Sequence, residues 1–453
     1  MTNKKMIAAL SGGRERGLSL IELMIAITLG LLIVAALLAL FLNITRTNNE
    51  MAKMNRQIEN GRFAIQLLQE DVVHAGFWGN HVPQFDDLTA VTVPLDAPTA
   101  LPDPCLANPA TWTTEYKNNL IGIPLQANAG SCAVNNQQGN TDVLVVRHAQ
   151  TCETTEANCE AEINGNLYFQ STLCEKEVMA TAQNGTTSTI TLEPGASPTD
   201  GFYIGAVIRI IDGIGVGQER KITGYSGGTK EATVDTPWAI TPDNSSIYTF
   251  GLGYILDTTG HIFHNRDCAT PAGKRKFVSN IYYIRDHSTP GDGIPTLVRS
   301  SFDLAGGALG HQSADALIEG IQGFRVEYGI DGLSDTGNPV DYSSNVVWAN
   351  PDNKNSPSNR GDGIPDGNYV GAASVTCNSL TDCAAANIVS ARIHVLARSL
   401  EPTPGYTDSK TYQLGNKADG TPFTMGPFND NFKRHVFTTT VRLVNPSGRR
   451  ETP

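Results

Sequence analysis

Near its N-terminus this chain has a long run without charged residues, inside a longer stretch without proline. No charged residue occurs from Leu23 to Leu42, and no proline occurs from Leu18 to Trp78. Without proline a helix can run uninterrupted, and about 20 uncharged, mostly apolar residues are what a helix needs to cross a bilayer. These absences exclude an ordinary water-exposed N-terminal segment and predict one membrane-spanning helix that continues beyond the membrane.

Cysteine is missing from the first 100 residues, and no C-x-x-C spacing occurs among the eight cysteines that follow. This spacing excludes the usual zinc sites. Disulfides in an oxidising compartment are expected instead. Many connectivities are open, and only the short loops from Cys152 to Cys159 and from Cys377 to Cys383 support particular pairs. The preferred pairing is sequential: Cys105 with Cys132, Cys152 with Cys159, Cys174 with Cys268, and Cys377 with Cys383.

Catalytic motifs with the right context are also missing. Gly224 to Gly228 match the G-x-S-x-G nucleophile elbow, but that motif must join a strand to a helix, and Thr229 to Asp235 have the pattern of a strand. The motif therefore predicts a hairpin turn, and no enzyme activity is expected. Two further patterns lack the spacing of metal-binding or phosphate-binding motifs: His261 with His264, and Gly213 with Gly215 and Gly217.

What the chain does have is a basic N-terminal segment that ends in a small residue directly before the apolar run. The order is Arg14, Arg16, Gly17 and then Leu18. In a secretory signal the small residue follows the apolar run, so cleavage after Gly17 would here leave the apolar segment on the mature protein. We expect a leader of residues 1–17, removed on the cytoplasmic side, and Leu18 as the new N-terminus.

Glu22 is an acidic residue inside the apolar segment. A carboxylate at the centre of a bilayer costs about 3 kcal/mol on insertion scales, so it is expected to have a cationic partner. The ammonium at Leu18 lies about one helical turn away, and two copies packed side by side can pair the ammonium of one with Glu22 of the other. The alternative is a glutamate near the end of a signal anchor, whose side chain reaches the membrane interface.

The charges of the chain are divided between its two parts. The leader has a net charge of +3, which leaves −15 on the remainder of a chain whose total is −12. Positive charge stays on the cytoplasmic side, so the acidic bulk is expected outside the inner membrane. An acidic surface also argues against nucleic acid as a partner. The leader's charges come from Lys4, Lys5, Arg14, Glu15 and Arg16.

Beyond the apolar run the helix has an amphipathic pattern. Apolar residues recur in steps of three and four, with Gly61 at the one missing position. This stripe is expected to pack on a head, and the helix is expected to end near Ala75 with Gly76 as its terminator. A coiled-coil dimer is the alternative partner for the stripe. Its members are Met51, Met54, Ile58, Ile65, Leu68 and Val72.

The two halves of the helix and the remaining chain predict an α+β fold. Residues 18–43 are expected to form the transmembrane half of one long helix, and residues 44–78 its amphipathic half. The helix packs on a β-rich head, residues 79–453, which contains an antiparallel sheet.

Short β runs separated by turns fill the head. Residues 82–140 and 331–385 read as long loops, and Gly-rich turns indicate a β insertion at about 178–250. The predicted strands are Asp142 to His148, Thr186 to Leu192, Tyr203 to Ile211, Arg220 to Thr223, Ile247 to Leu256, Phe277 to Ile284, Thr296 to Ser300, Phe324 to Tyr328, Ala391 to Ala397 and Val436 to Val444.

Two loops rich in Asp and Asn support a weaker hypothesis. Clustered carboxylate and amide oxygens between glycines can bind Ca2+, a cation that prefers oxygen ligands. The candidate ligands are Asp352, Asp362 and Asp366. Their spacing does not match an EF-hand, and Asx turns in a solvated loop are the alternative. No other cofactor is expected.

Three parts of the chain carry a family resemblance. The first runs from Gly17 to Gly79 and starts with Leu-Ser-Leu-Ile-Glu directly after Gly17. The second is Leu317 to Gly329, and the third is the pair of closing strands, Ile388 to Arg398 and Arg434 to Asn445. Together they resemble the PilW family of type IV minor pilins. The chain departs from that family in having Leu18 where phenylalanine is usual, and in its longer head.

The resemblance implies a type IV pilin-like architecture, in which residues 18–43 also form the filament core, and a role without catalysis. A prepilin peptidase would cleave between Gly17 and Leu18, and Leu18 would be N-methylated. The protein would join other minor pilins and the major pilin at an inner-membrane assembly platform, in a complex that primes pilus assembly and lies at the tip with a PilY-type adhesin.

The resemblance also implies a location and a biological role. Before assembly the protein would lie in the bacterial inner membrane with a periplasmic head, and afterwards in the pilus, where it would support twitching motility and adhesion. Two alternatives stay open. A type II secretion pseudopilin has the same anchor and glutamate, and a filament-mounted adhesin would bind a ligand with its own enlarged head.

Overall fold

The computed structural model describes residues 17, 19–89, 93–127, 134–174, 177, 179–251, 253–417 and 419–451. The chain divides into two compact units, Met1–Asn55 and Arg56–Pro453. Helix α1, Leu20–His74, runs from the first unit into the second.

In the first unit, the described residues after Ser19 are all helical. Every side chain from Leu20 to Asn49 is exposed. The most apolar window of 18 residues in α1 has a mean hydropathy of 3.0, and the helix is long and apolar enough to cross a membrane. The proline-free, uncharged run thus forms the helix that its composition predicts.

Among the described residues of the second unit, helices α2 at Thr114–Gly122 and α3 at Val444–Arg450 follow α1, together with short 3-10 turns. Its strands are β1 Leu125–Ala127, β2 Leu144–Ala149, β3 Tyr168–Ser171, β4 Ala180–Thr181, β5 Asn184–Gly185, β6 Thr189–Thr191, β7 Val207–Asp212, β8 Glu219–Ser226, β9 Glu231–Val234, β10 Ile247–Phe250, β11 Tyr254–Asp257, β12 Lys274–Arg285, β13 Thr296–Ala305, β14 Ala308–His311, β15 Asp315–Glu319, β16 Ile321–Ile330, β17 Trp348–Asn350, β18 Asn355–Pro357, β19 Val370–Gly371, β20 Cys377–Ser379, β21 Asp382–Cys383, β22 Ile388–Arg398, β23 Tyr412–Asn416, β24 Pro422–Met425 and β25 Arg434–Arg442.

Antiparallel sheets dominate this unit, and the fold class is α+β as predicted. The largest sheet has the order β1-β2-β12-β13-β14, with β3, β11 and β15 paired beside this path. A four-stranded sheet has the order β19-β16-β22-β25. Leu68 and Val72 of α1 belong to the same buried cluster as Phe324 of β16 and Ile393 and Val395 of β22. The C-terminal part of α1 therefore packs against the four-stranded sheet.

The buried face of α1 differs from the predicted stripe. Leu68 and Val72 are buried as expected, but Met51, Met54 and Ile58 are 57%, 45% and 36% exposed. The stripe was predicted from apolar residues alone. The buried face also includes small residues, which allow close packing, and a glutamine that forms hydrogen bonds. The residues of α1 that are buried are Gln57, Gly61, Ala64, Leu68 and Val72.

Gly76 ends the helix, as predicted. Its φ of +74° lies in the left-handed region that favours glycine. The amide of Gly76 donates to the Arg147 carbonyl at 3.0 Å. This hydrogen bond joins the end of α1 to strand β2.

A third sheet has seven antiparallel strands in the order β4-β10-β7-β8-β9-β6-β5. It has a buried cluster of its own, which includes Ile208, Ile222, Tyr248 and Phe250. We call β4 to β10, from Ala180 to Phe250, the β insertion. The predicted hairpin at Gly224 to Gly228 is confirmed, because Gly224 to Ser226 end β8 and the turn at residues 227–230 leads into the paired strand β9.

Three sequence predictions about the head were wrong. The expected loop at 331–385 contains the short strands β17 to β21, which are too short to give a clear alternating pattern. The run from Ile247 to Leu256 is two strands, β10 and β11, because Gly251 and Gly253 adopt φ of +60° and +80° and turn the chain. The expected loop at 82–140 contains helix α2, whose N-terminus is capped by the Thr113 side chain. Nine residues are too few to give a clear helical period.

Candidate assembly site

The site predicted for processing lies directly before α1. Gly17 is exposed, and no heavy atom lies within 4 Å of the position that a Cβ would take. Leu18, the expected new N-terminus and methylation site, lies outside the described residues, as do residues 1–16. Cleavage and methylation therefore stay predictions.

Helix α1 begins with a reciprocal pair of hydrogen bonds between Ser19 and Glu22. The Ser19 amide donates to Glu22 Oε2 at 3.0 Å, and the Glu22 amide donates to Ser19 Oγ at 3.2 Å. This is a capping box, which satisfies two of the amide groups that are otherwise free at the start of a helix. A carboxylate in the first turn also interacts favourably with the helix dipole. Glu22 therefore has a local role in starting the helix.

The capping box does not neutralise Glu22, because both of its partners are uncharged groups. The carboxylate lies in the first turn of α1, whose side chains from Leu20 to Asn49 are all exposed. An apolar surface of this extent needs lipid or other apolar helices around it. In such surroundings a carboxylate without a cationic partner is costly.

Farther along α1, Asp71 attaches the helix to the largest sheet. Its Oδ1 lies 3.0 Å from His148 Nε2, and its Oδ2 accepts hydrogen bonds from Asn280 Nδ2 at 2.9 Å and from the Tyr282 hydroxyl at 2.8 Å. Burial acts to raise the pKa of the Asp71 carboxyl, but these polar partners outweigh burial and hold the pKa below its usual value. The ionised carboxylate thus joins α1 to strands β2 and β12.

The C-terminal helix α3 is attached by buried ion pairs. Arg449 Nη2 lies 3.0 Å from Asp86 Oδ2, and Arg450 Nε lies 2.8 Å from Asp86 Oδ1. Arg450 Nη1 also lies 3.2 Å from Asp331 Oδ2. Breaking such a pair leaves a buried charge uncompensated, so the end of the described chain is firmly attached to the loop after α1 and to the end of β16.

Disulfides cross-link the head. Cys174 and Cys268 flank the β insertion, and their bond closes its base. Cys105 is also disulfide-bonded, and Cys132, its preferred partner, lies outside the described residues. Three of the four preferred pairs are present: Cys152 with Cys159, Cys174 with Cys268, and Cys377 with Cys383.

The candidate calcium ligands Asp352, Asp362 and Asp366 are not gathered around one point. Asp362 Oδ1 accepts from the Ile364 amide at 2.8 Å, and Asp366 Oδ2 accepts from the Leu333 amide at 2.7 Å. Within the described part of the chain, no group of three or more His, Cys, Asp or Glu side chains is placed to hold a metal ion. Asp362 thus stabilises a turn of its own loop, and Asp366 joins that loop to the segment after β16.

Comparison with known families matches both ends of the chain. Residues 13–38 match the model of the prokaryotic N-terminal methylation motif, and residues 281–445 match the model described as type IV pilus-assembly protein W, PilW. The resemblance to PilW is confirmed. The PilW match begins within β12, contains the four-stranded sheet and ends within α3. The methylation-motif match contains Gly17, Leu18 and Glu22.

The PilW and methylation-motif matches support a membrane-anchored pilin with a role in type IV pilus assembly. Pilin and pilus-assembly families are structural, not enzymatic. Residues 39–280 lie outside both matched ranges, and they include the β insertion. No curated protein and no solved structure matches the chain.

Ser19 and Asp71 are the two residues of this site that the sequence analysis missed. The capping box was visible as Ser followed three residues later by Glu at the start of an apolar run. Asp71 gave no local signal, because its partners His148, Asn280 and Tyr282 lie far away in the sequence.

Proposed function

We propose that this protein is a minor pilin that assembles into a type IV pilus through its N-terminal helix. Within that role it would join other minor pilins in the complex that primes the filament and lies at its tip, and so support twitching motility and adhesion. After cleavage at Gly17, the ammonium of Leu18 in one subunit would pair with Glu22 of a neighbour.

One observation carries the proposal: a single carboxylate, Glu22, at the start of an exposed apolar run that carries no further charge as far as Leu42, directly behind a basic segment and Gly17. The capping box adds a reason why the carboxylate stays in place, since Ser19 fixes the side chain in the first turn. The PilW match in the head supports pilus assembly over other uses of the same N-terminus.

The nearest alternative is a type II secretion pseudopilin, which would use the same charge pair in another machine. A deletion strain of the source bacterium tests the two directly. For a minor pilin we expect loss of surface pili and twitching with secretion unchanged, and restoration by the wild-type gene. Loss of exoprotein secretion with normal piliation would instead identify a pseudopilin.

Partners can be identified with the full-length protein solubilised from membranes. Affinity capture from cells that express the tagged chain at its natural level should recover the major pilin and other small proteins with the same N-terminal methylation motif. A tagged version of an unrelated single-span membrane protein is the control. Recovery of no such subunit would contradict the priming role.

A further inference from the structure

A cavity of about 320 Å3 lies at the base of the β insertion, beside the Cys174–Cys268 disulfide. It is lined by residues of the insertion and of the segments that flank it. Its volume is at the lower end of the range for small-molecule sites. The rings of Tyr203 and Phe250 stack with centroids 4.4 Å apart, and Phe202 meets Tyr203 edge-on at 4.9 Å. One wall of the cavity is therefore an ordered set of aromatic rings.

Two carboxylates face the same cavity. Glu177 is buried and accepts hydrogen bonds from the Thr172 hydroxyl at 2.5 Å and from the His264 amide at 3.0 Å. Its Oε1 also lies 2.7 Å from His264 Nδ1. Glu193 differs, because its Oε1 is buried and has no hydrogen-bond partner among the residues that the structure describes. A buried acceptor without a donor costs free energy, and a ligand that donates a hydrogen bond to Glu193 Oε1 would remove this cost.

The described residues that line the cavity include more acidic than basic side chains. His264 is the basic side chain among the lining residues, and it already faces Glu177. Lys230 reaches the carbonyl of the lining residue Ser197, to which its ammonium donates at 3.2 Å. Burial raises the pKa of the Tyr203 hydroxyl to about 12, and the carboxylates of Glu177 and Glu193 act in the same direction. Among the described lining residues, the acidic side chains therefore outnumber the basic ones by two to one.

We propose that this cavity binds a small organic ammonium ion, with Glu193 as the counter-ion and the rings of Phe202 and Tyr203 as a cation–π surface. Aromatic faces attract alkylammonium groups, and the attraction grows as water is excluded. A primary ammonium would also donate the hydrogen bond that Glu193 Oε1 lacks. The inference does not depend on the role in pilus assembly, because none of these residues lies in α1.

The test uses the full-length protein in a maltoside detergent and isothermal titration calorimetry at low ionic strength. The probes are choline chloride, n-butylammonium chloride and 3,3-dimethylbutan-1-ol, which has the shape of choline without its charge. We expect saturable binding of one or both ammonium ions, and at least about tenfold weaker binding of the alcohol, which corresponds to 1.4 kcal/mol. The two salts distinguish a quaternary from a primary ammonium.

Two variants and a matched control locate the site. Glu193→Gln keeps the shape and removes the charge, and we expect affinity to fall at least about tenfold; Phe202→Leu removes a ring, and we expect a fall of about three- to tenfold. Glu231→Gln, at an exposed position of β9, should bind as the wild type does. Unchanged far-UV and near-UV circular dichroism would show that each variant is folded.

The proposal is overturned by any of three results. The wild type fails to bind either ammonium ion saturably, the neutral alcohol binds as well as the tighter-binding of the two ammonium ions, or Glu193→Gln retains the wild-type affinity.

Discussion

Gly61 of α1 lies against the ring of Phe437 in β25, so closely that a Cβ at position 61 would overlap the ring. The glycine that interrupts the apolar stripe is therefore the point where the helix approaches the edge strand of the four-stranded sheet. Gln57 marks the next turn of the same face, where its Nε2 donates to the Ala397 carbonyl at 2.8 Å. Contact between α1 and the head thus depends on small and polar residues as well as apolar ones.

The first prediction follows from this contact. Gly61→Leu should destabilise the head, because an extra side chain in a closely packed interface costs about 1–3 kcal/mol. Urea denaturation of the full-length protein in detergent, followed by near-UV circular dichroism, measures the change. Gly139→Ala is the control, since no atom lies within 4 Å of the added Cβ. Adding Phe437→Ala to Gly61→Leu should recover part of the loss, and no recovery would place the strain elsewhere.

The second prediction concerns processing at Gly17. A prepilin peptidase requires a small side chain at the cleaved bond, so Gly17→Val should leave the leader attached and keep the protein in the inner membrane. Intact-mass measurement of the membrane-extracted protein reads the result directly. Gly17→Ala is the conservative control and should be processed. A mature N-terminus at Leu18 in the valine variant would show that this junction is not a prepilin cleavage site.

The third prediction is a pH dependence at Asp71. Its folded pKa is lowered, so the carboxylate contributes stability that is fully present above its unfolded pKa of about 3.9 and is lost as pH falls through the folded value. At pH 7, Asp71→Asn should lower the free energy of unfolding by about 1.5–3 kcal/mol, the range for hydrogen bonds to a charged group. The difference from wild type should shrink below about pH 4.

Denaturation at a series of pH values from neutral to strongly acid measures this difference. Glu70→Gln is the matched control, because Glu70 is the exposed neighbour of Asp71 on the same helix. A loss that stays the same at every pH would mean that Asp71 acts through packing and not through its charge.

The fourth prediction ranks two disulfides. Cys174 and Cys268 are separated by 94 positions, whereas Cys377 and Cys383 are separated by 6. In the loop-entropy model, replacing the first pair by serine should cost about 4.7 kcal/mol and replacing the second about 2.4 kcal/mol. Denaturation of the two double variants compares the costs, and peptide mass mapping of the wild type checks that both bonds form. Free thiols at either pair would refute the assignment.

The parts of the fold that could be predicted are those with local signals. Helix α1 followed from an uncharged, proline-free run, and its end from Gly76. The hairpin at Gly224 to Gly228 followed from the strand pattern after it. The contact of Gly61 with Phe437 could not be predicted, because the two residues lie far apart in the sequence. The local pattern around one gives no information about the other.

The residues of the candidate site likewise divide into those with a local sequence signal and those without one. Gly17 and Glu22 stand out because a small residue and a carboxylate are rare in their positions next to an apolar run. Ser19 was overlooked although its spacing to Glu22 is that of a capping box. The wall of aromatic rings combines Phe202 and Tyr203, in the turns before β7, with Phe250 of β10, and only the folded β insertion brings Tyr203 and Phe250 together.

Glu22 offers the most direct test of assembly by charge pairing. The capping box gives the carboxylate a second role, so Glu22→Ala removes both the cap and the charge. Glu22→Gln separates them, because glutamine can close a capping box with Ser19 but carries no charge. Glu22→Asp keeps a charge with a shorter reach and should be intermediate.

The decisive measurement is the amount of this subunit in sheared pili from cells that express Glu22→Gln, relative to the amount in membranes. Charge pairing predicts normal leader removal and normal levels in the membrane, with incorporation as low as in Glu22→Ala, since a broken buried pair costs about 3–5 kcal/mol. Recovery of the glutamine variant in pili at the wild-type level would contradict the account and leave Glu22 as a helix cap alone.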